Sequence, residues 1–378
     1  MTSKLPNTGT TIFTIMSKMA AKYGAINLSQ GFPDFDCDPA LIALVTDAME
    51  AGHNQYAPMP GDWDLRSMIS NKIYALYEQN YDPETEITIT AGATQAIFTA
   101  VAAVIHPGEE VIVFAPAYDC YEPTIELFGA KSIPIQLEPP LYSPDWVEVE
   151  AVITPKTRMI IINSPHNPSG MVFGQDDLKQ LERIVLKHDL LVVSDEVYEH
   201  IIFDGRVHQS VARYPNLAAR SFITASFGKT FHNTGWKLGY CVAPGPWMNE
   251  FRKVHQYNVF SVNHPIQRAL AIYLQDPEHY LGLAKFFEQK RDFFLSFLKG
   301  SRFQFEPSQG TYFQLLDYSA ITNEADTVFT ERLTKENGVA TIPTSVFNKD
   351  HRDFKQIRVC FAKKEETLAK AAKLLANL

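Results

Sequence analysis

The chain contains 378 residues, of which 46% are hydrophobic, so it is long enough to build two unequal domains around a large core. Its formal net charge of −9 at pH 7 argues against nucleic acid and anionic membranes as partners, because both attract basic surfaces. No apolar run in the sequence approaches the length of a membrane span.

The cysteines are too scattered for a zinc site or a disulfide framework, since they form no CxxC pair and no Cys/His cluster with metal-ligand spacing. This usage is typical of a reducing compartment. Near the N-terminus, Lys18 and Lys22 interrupt the apolar residues that a secretion signal would need. We therefore expect a cytoplasmic protein without a bound metal. The cysteines are Cys37, Cys120, Cys241 and Cys360.

The first part of the chain, to about residue 38, is predicted to be an arm with one helix at residues 12–23. Further helices are predicted at residues 39–50 and 62–77. From there on, short apolar strands alternate with helices, which is typical of a mostly parallel sheet with helices on both faces. The predicted strands are 87–90, 110–114, 132–136, 158–163, 190–194, 221–226 and 238–243, and the helices between them are 94–105, 118–128 and 176–188.

Past Pro246 the pattern changes, because helical periodicity continues to residue 298. We predict an α/β fold with a mostly parallel, seven-stranded sheet in a large domain and a smaller α+β domain. The predicted division is an arm at 1–38, a large domain at 39–275 and a small domain at 276–378. In the small domain we predict strands at 309–316 and 355–361, and a last helix at 365–378.

Lys229 stands out because it follows an apolar strand and has little other charge around it. The residues before it, Phe222 to Ala225, are typical of a buried strand. Burial and the nearby cation Lys237 both lower the pKa of a lysine, which makes the neutral amine available. A neutral amine is what a lysine needs in order to attack a carbonyl group. Most lysines are ordinary surface residues, but this context favours a reactive one.

Other unusual residues also follow predicted strands. Gly92, Ala93 and Thr94 open a helix after the first of the alternating strands, and the N–H groups at a helix N-terminus form a phosphate site. Asn167 lies in a proline-stiffened loop, and Asp195 closes an apolar strand, where a buried acid needs a partner. Each feature alone is also explained by packing, a turn or a helix cap. Because ligands bind at the C-terminal ends of strands in open α/β sheets, we expect these residues to meet.

Together these residues suit one ligand that carries a phosphate, a protonated ring nitrogen, a phenolate oxygen and an aldehyde. Lys229 would take the aldehyde, and Asp195 would take the ring nitrogen. Asn167 and Tyr198 would take the phenolate. The ligand with these groups is pyridoxal 5′-phosphate. The residues that would hold its phosphate are Gly92, Ala93, Thr94, Ser226 and Lys237.

At these residues the chain resembles the class I aminotransferases of the fold type I enzymes that depend on pyridoxal phosphate. Within them it is most similar to the branch of methionine and kynurenine–glutamine aminotransferases. The lysine segment, the Asn-Pro loop and the Asp-x-x-Tyr motif in this order are highly specific. One departure is Lys237, where many relatives carry arginine, which holds phosphate as a fork rather than as a point charge. The matching segments, which span essentially the whole chain, are 27–35, 54–58, 91–96, 163–170, 195–198, 226–240 and 357–361.

The resemblance implies that Lys229, Asp195 and Tyr198 are the catalytic residues. Lys229 is implied to bind the cofactor's aldehyde, Asp195 its ring nitrogen and Tyr198, with Asn167, its phenolic oxygen. Tyr118 is implied to stack on the cofactor ring. Tyr56 is implied to reach the cofactor phosphate in the site of a neighbouring subunit. The residues implied to hold the phosphate within one chain are Gly92, Ala93, Thr94, Ser226 and Lys237.

The resemblance also implies a substrate site in which Arg358 binds the α-carboxylate, with Gly31 and Asn167 beside it. Relatives specific for dicarboxylates use a second arginine, and residues 255–263, after the lysine, contain none. We therefore expect a pocket for bulky uncharged side chains, methionine first and then aromatic amino acids. The apolar candidates for that pocket, of which roughly half are expected to be core alone, are Phe32, Phe35, Tyr312 and Phe347.

The implied activity is the transamination of such an amino acid to its 2-oxo acid, with a second 2-oxo acid as acceptor. Two alternatives stay open: a cysteine-S-conjugate β-lyase on the same scaffold, and a non-catalytic regulatory domain that binds pyridoxal phosphate. The second is disfavoured because no part of the chain is left over for a DNA-binding domain. The expected partners are amino acid and 2-oxo acid substrates, and a second copy of the chain in a homodimer with shared active sites.

Overall fold

The computed structural model describes residues 2–6 and 8–378. In chain order, its strands are β1 (Ile26–Asn27), β2 (Ile87–Thr90), β3 (Glu110–Ala115), β4 (Lys131–Gln136), β5 (Thr157–Asn163), β6 (Leu191–Asp195), β7 (Ser221–Ser226), β8 (Gly239–Val242), β9 (Phe313–Asp317), β10 (Val339–Ala340), β11 (Ile342–Pro343) and β12 (Gln356–Cys360). Its α-helices are α1 (Ile12–Tyr23), α2 (Pro39–Glu50), α3 (Trp63–Tyr77), α4 (Ala93–Val104), α5 (Tyr121–Leu127), α6 (Trp146–Ala151), α7 (Gln175–His188), α8 (Pro215–Ala218), α9 (Phe227–Thr230), α10 (Gly245–Asn258), α11 (His264–Tyr273), α12 (Glu278–Leu281), α13 (Leu283–Leu298), α14 (Asp326–Glu336) and α15 (Glu365–Ala376).

Seven of these strands form the central sheet, in the order β2-β8-β7-β6-β5-β3-β4. β8 runs antiparallel to both of its neighbours, β2 and β7, while the remaining pairs are parallel. The prediction of a mostly parallel, seven-stranded sheet is therefore confirmed.

The central strands are apolar on both faces because each face packs on a separate hydrophobic cluster. In β5, Ile160 and Ile162 belong to one cluster, whereas Met159 and Ile161 belong to the other. Successive side chains of a strand point to opposite faces, so a strand covered by helices on both sides reads as a continuous apolar run. This pattern made the central strands recognisable in the sequence.

Two small sheets lie outside the central one. β9, β11 and β12 form an antiparallel sheet in the order β11-β12-β9. β1 of the arm pairs in parallel with β10. The division into residues 1–38, 39–275 and 276–378 stays a prediction, and the pairing of β1 with β10 supports the part of it that joins the arm to the C-terminal region.

The sequence prediction gave no helix at α6, α8 or α14, and it placed the start of α5 too early. It placed no helix between residues 298 and 365, where α14 forms, because only three of the eleven residues of α14 are large and apolar. It also began a helix at residue 118, whereas α5 begins at Tyr121. Residues 118–120 instead form a turn, and this turn leaves Tyr118 at the edge of the cavity described below.

Within the described chain, no helix combines the length and the apolar character that crossing a bilayer requires. The described His, Cys, Asp and Glu side chains do not gather anywhere into a group of three or more that could hold a metal ion. All four cysteines are free thiols.

Candidate functional site

The site lies where three neighbouring strands of the central sheet end. Asn163 at the end of β5 is the register partner of Asp195 at the end of β6, and Ser226 closes β7. A cavity of about 260 Å³ opens at this edge of the sheet. The predicted site residues that line it are Gly31, Phe32, Gly92, Ala93, Thr94, Tyr118, Asn167, Asp195, Tyr198, Ser226, Lys229, Lys237 and Arg358.

Lys229 reaches the cavity from α9, the short helix that directly follows β7. Its Nζ donates a hydrogen bond to the carbonyl oxygen of Gly31 at 3.1 Å and lies 5.9 Å from the ring centre of Tyr198. Burial, helped by the cations Arg358 and Lys237, lowers the pKa of Lys229 to about 8. The sequence predicted the direction of this shift and named burial and Lys237 as causes, but it did not predict the contribution of Arg358.

Asp195 is a buried carboxylate with one strong hydrogen bond. Tyr121 donates its hydroxyl to Oδ2 at 2.6 Å, and the backbone N–H of Val197 donates to Oδ1 at 3.4 Å. Burial raises the pKa of Asp195 to about 6, against the lowering effect of the Tyr121 hydroxyl. The sequence prediction missed Tyr121, and its only signal was a tyrosine three residues after the predicted ring-stacking residue Tyr118.

Asn163 ties the two strand ends together, and the sequence prediction gave it no role. Its Nδ2 donates to the carbonyl oxygen of Asp195 at 2.9 Å, while its Oδ1 accepts from the backbone N–H of Asn167 at 2.8 Å. The Asn167 loop is closed by Gly170, which has φ +73°, and a Cβ there would lie 2.5 Å from the Cβ of Ser308. The loop and the end of β6 are therefore fixed relative to each other.

Arg358 comes from the middle of β12 and is almost completely buried. Its Nη1 donates to Oδ1 of Asn167 at 2.8 Å, and its Nη2 donates to the carbonyl oxygen of Ser29 at 2.9 Å. Its guanidinium carbon lies 4.0 Å from the ring centre of Phe313 and 5.0 Å from that of Phe13. The guanidinium is thus held between two aromatic rings, and its Nε is buried without a partner among the described residues.

A cationic turn forms the other end of the cavity. Gly92, with φ +81°, precedes the first residue of α4, so the free N–H groups of Ala93 and Thr94 open this helix. A Cβ on Gly92 would stand 3.4 Å from Nζ of Lys237, which places this ammonium directly beside the helix N-terminus. A Cβ on Gly239 would lie 2.5 Å from the carbonyl oxygen of Ala225. The close approach of these segments therefore depends on glycine.

The aromatic residues predicted for the substrate pocket divide into two groups. Phe32 lines the cavity, as does Phe13, which the sequence prediction missed. Phe35 and Phe347 are not among the described lining residues: Phe35 packs against α13, and Phe347 stacks on Phe13 with ring centres 5.7 Å apart. The phenol of Tyr312 donates to the carbonyl oxygen of Gly31 at 2.6 Å and so lies behind the cavity wall.

Tyr56 does not line the cavity of its own chain. Its side chain is 81% exposed and packs edge-on against Phe260, with ring centres 5.4 Å apart. Of the residues predicted to hold the cofactor, it is the one that does not line this cavity.

Comparison with known proteins identifies the family. A family model described as aminotransferase class I and II matches residues 23–375. The methionine aminotransferase of Escherichia coli is 50% identical over 377 residues, which cover 100% of this chain and 98% of that protein. The kynurenine–oxoglutarate transaminase of Dictyostelium discoideum is 34% identical and covers 98% of this chain and 94% of its own length.

Solved structures give the same result. A crystal structure from Escherichia coli, reported with a methionine aminotransferase function, matches with a TM-score of 0.98 at 50% identity, over 100% of this chain and 99% of that one. The N-succinyldiaminopimelate aminotransferase of Mycobacterium tuberculosis matches with a TM-score of 0.96 at 35% identity, over 100% and 99% of the two chains. Because the likeness extends from the arm to the last helix, this chain belongs to the class I and II aminotransferases and is an α/β enzyme of fold type I that transfers amino groups.

Proposed function

We propose that this aminotransferase uses pyridoxal 5′-phosphate to move the amino group of an amino acid with a bulky uncharged side chain to a 2-oxo acid. Methionine is the first candidate donor and aromatic amino acids are the next. The observation that carries the proposal is the convergence of Lys229, Asp195 and Arg358 on one cavity that ends in a cationic helix N-terminus. The methionine aminotransferase at 50% identity supports the choice of donor.

The donors and acceptors around the cavity fit this cofactor. The N-terminus of α4 and the ammonium of Lys237 would hold the phosphate, because both supply positive charge and N–H donors. Asp195 would hold the protonated ring nitrogen, an ion pair that relieves the burial of its carboxylate. Asn167 already gives its Oδ1 to Arg358, so its Nδ2 is the group left to bond the phenolic oxygen, beside Tyr198.

When bound, the cofactor supplies an electron sink for the α-carbon of the amino acid and carries the amino group between donor and acceptor. Lys229 would take the proton from that α-carbon and deliver it to the carbon of the cofactor that carried the aldehyde, since burial lowers its pKa to about 8. The carbonyl oxygen of Gly31 holds its amine at the cavity wall when the amine is free. Asp195 keeps a proton on the ring nitrogen, and this proton strengthens the sink.

Arg358 would bind the α-carboxylate of the substrate. The two guanidinium N–H groups that bond Asn167 and Ser29 fix its plane, and the buried Nε remains a free donor. A guanidinium fixed in this way grips a carboxylate in one orientation. It would thereby set which bond of the α-carbon faces Lys229, and so favour loss of the proton over loss of the carboxyl group.

The rest of the cavity wall favours an uncharged side chain. Phe13 and Phe32 contribute aromatic rings to it, and the one guanidinium among the described lining residues is Arg358. A second carboxylate on the substrate would therefore lose its hydration without gaining a fork of N–H donors.

We also propose that the enzyme is a homodimer in which Tyr56 reaches the phosphate of the neighbouring subunit. The support is its 81% exposure next to another exposed aromatic residue, Phe260, because adjoining exposed aromatic side chains mark contact surfaces. Sedimentation of the purified protein should give twice the mass of one chain. A monomer that transaminates at the full rate would contradict this part of the proposal.

The function is tested by incubating the protein, loaded with pyridoxal 5′-phosphate, with single amino acids and no acceptor. Methionine and phenylalanine should each yield up to one equivalent of 2-oxo acid per site and abolish the visible absorption of the cofactor. Release of pyruvate and ammonia from a cysteine S-conjugate, without oxo acid from methionine, would favour the lyase alternative. Oxo acid from glutamate or aspartate alone would refute the proposed side-chain preference, and no product from any donor would favour the non-catalytic alternative.

A further inference from the structure

The last residue of β6 and the turn that follows it carry several ionisable side chains, some of which line the cavity while others lie outside its lining. Asp195 and Tyr198 line the cavity. Glu196 and Glu199 are buried and lie outside the cavity lining. The backbone N–H of Glu199 donates to the carbonyl oxygen of Glu196 at 2.9 Å, so the turn is tight. The proposed mechanism uses the first pair and gives no role to the second.

Glu199 is bound by three donors from other parts of the fold. Its Oε1 accepts from Nζ of Lys72 at 2.5 Å and from the hydroxyl of Tyr240 at 3.0 Å. Its Oε2 accepts from the hydroxyl of Tyr77 at 2.6 Å. Lys72 and Tyr77 belong to α3 and Tyr240 to β8, so Glu199 connects a helix and a strand to the turn.

The ammonium of Lys72 is also fully engaged. Besides Glu199, it contacts the hydroxyl of Tyr240 at 2.8 Å and Nε2 of His200 at 3.2 Å. The side chains of Lys72 and Glu199 are only 5% and 6% exposed. Burial alone would raise the pKa of Glu199, but the ammonium of Lys72 and the hydroxyl of Tyr77 hold it well below its usual range, so this carboxylate stays ionised.

A buried ion pair of this kind is weak grounds for stability, because the cost of desolvating two charges offsets much of their attraction. Its hydrogen bonds are directional, so a fully bonded buried network holds its side chains in one arrangement. Glu199 directly follows Tyr198, and the tight turn leaves no residue between them that could absorb a displacement. Because both oxygens of the Glu199 carboxylate are held, its side chain restrains the backbone of Glu199 and, with it, the adjoining backbone that carries the Tyr198 phenol.

We propose that Glu199, held by Lys72, Tyr77 and Tyr240, is a positioning residue that aims Tyr198 and Asp195 into the cavity. Glu199 itself touches neither substrate nor cofactor in this arrangement. The inference rests on the proposed function, because it concerns how the cofactor-binding face of the turn is held. Glu196 anchors the start of the same turn, since its carboxylate accepts from the Ser194 hydroxyl at 2.8 Å and contacts Nε2 of His208 at 2.8 Å.

The test compares two buried tyrosines, Tyr77 at the last residue of α3 and Tyr81 just beyond it, which differ in one respect. The hydroxyl of Tyr77 bonds Glu199, whereas the hydroxyl of the equally buried Tyr81 has no partner among the described residues. Tyr77→Phe and Tyr81→Phe are therefore the same chemical change with and without the contact. Glu199→Gln is the stronger variant, because it keeps the shape and removes the charge. Lys72→Met/Glu199→Gln removes both charges and avoids leaving an unpaired one if Glu199→Gln alone folds poorly.

Three quantities are measured for each variant: the dissociation constant of pyridoxal 5′-phosphate from the apoprotein, the induced circular dichroism of the bound cofactor, and kcat with KM for methionine. We expect Glu199→Gln to weaken cofactor binding about tenfold and to lower kcat by up to about 100-fold, the size of loss that a displaced catalytic group can produce. Tyr77→Phe should change all three in the same direction by a smaller factor, the double variant should remain impaired, and Tyr81→Phe should match the wild type.

The proposal is overturned if Glu199→Gln and Tyr77→Phe lose resistance to urea but keep the wild-type cofactor affinity, circular dichroism and kcat, since the network would then only stabilise the fold. It is also overturned if the double variant regains all three wild-type values. If the wild-type protein itself fails to bind pyridoxal 5′-phosphate or to form oxo acid, the proposed function fails instead, and this outcome is distinguishable from the first two.

Discussion

Replacing Arg358 with lysine tests the substrate site most directly, because it keeps the positive charge and removes the fork. In the structure, Nη1 and Nη2 each donate one hydrogen bond to the protein, to Asn167 and to Ser29, and Nε is buried without a described partner. A lysine has three donors on one nitrogen and a shorter reach, so it cannot satisfy both acceptors and also grip a carboxylate in two places.

The expected loss follows from the hydrogen bonds that disappear. One charge-assisted hydrogen bond to a carboxylate contributes about 1.5–3 kcal/mol. Since every 1.4 kcal/mol is a factor of ten, binding of the carboxylate should weaken by about 10- to 150-fold. We expect Arg358→Lys to show this loss for a carboxylate that lacks an amino group, such as 3-phenylpropionate, measured as a competitive inhibitor. Such a ligand reports binding without the chemical step.

Arg291→Lys is the matched control. Arg291 is also buried, on α13, and donates to both carboxylate oxygens of Asp204 at 2.8 Å, but it does not line the cavity. Its replacement should lower resistance to urea and leave the inhibition constant unchanged. The assignment of Arg358 would be refuted if its lysine variant bound the inhibitor within about twofold of the wild type, or if Arg291→Lys weakened binding as much.

Two further predictions concern the charges of the apoprotein. The pKa of Lys229 is lowered from 10.5 in the unfolded chain to about 8 in the folded one, so between these pH values the unfolded chain binds more protons and the wild type gains stability as pH rises. Lys229→Met should remove this gain and all transamination. If the difference in urea stability between pH 7 and pH 10 is the same in the variant as in the wild type, the prediction is contradicted. The pKa of Asp195 is raised from 3.8 in the unfolded chain to about 6 in the folded one, so its contribution to stability falls as pH rises between these values. Tyr121→Phe removes a hydrogen bond that lowers this pKa, so the fall in stability should extend to higher pH. A ¹³C titration of the Asp195 carboxyl group that matches the wild type would refute the role of Tyr121.

Much of the central sheet could be predicted because its residues carry a local signal. A strand buried on both faces is a short run of apolar residues, as in Met159 to Ile162, and the run ends where the chain turns. The helix α14 lacked such a signal, because three of its five buried residues, Asp326, Thr330 and Thr334, are polar. Contacts with the neighbouring segments, which the sequence does not display, keep those polar residues buried.

The residues of the site likewise divide into those that the sequence predicted and those that it missed. Lys229, Asp195 and Asn167 were predictable because each follows a strand, and strand ends of a parallel sheet meet at one edge. Tyr121 and Phe13 could not be found by that reasoning, since one lies on the helix α5 and the other on the arm helix α1. Only the packing of these helices against the edge of the sheet brings their side chains to Asp195 and Arg358.

The charges around the cavity explain why a neutral side chain is the best match for it. Lys229, Lys237 and Arg358 face the cavity, and Asp195 is the one carboxylate among its described lining residues. The phosphate of the cofactor brings nearly two negative charges and the substrate carboxylate brings one, while the protonated ring nitrogen offsets Asp195. When Lys229 acts as a neutral amine, Lys237, Arg358 and the positive N-terminus of α4 still come close to balancing these anions, although the chain as a whole carries a formal charge of −9. A second carboxylate on the substrate would break this balance in a place where an unpaired buried charge costs several kcal/mol. The proposed side-chain preference thus follows from the same charges that we propose to hold the cofactor and the α-carboxylate.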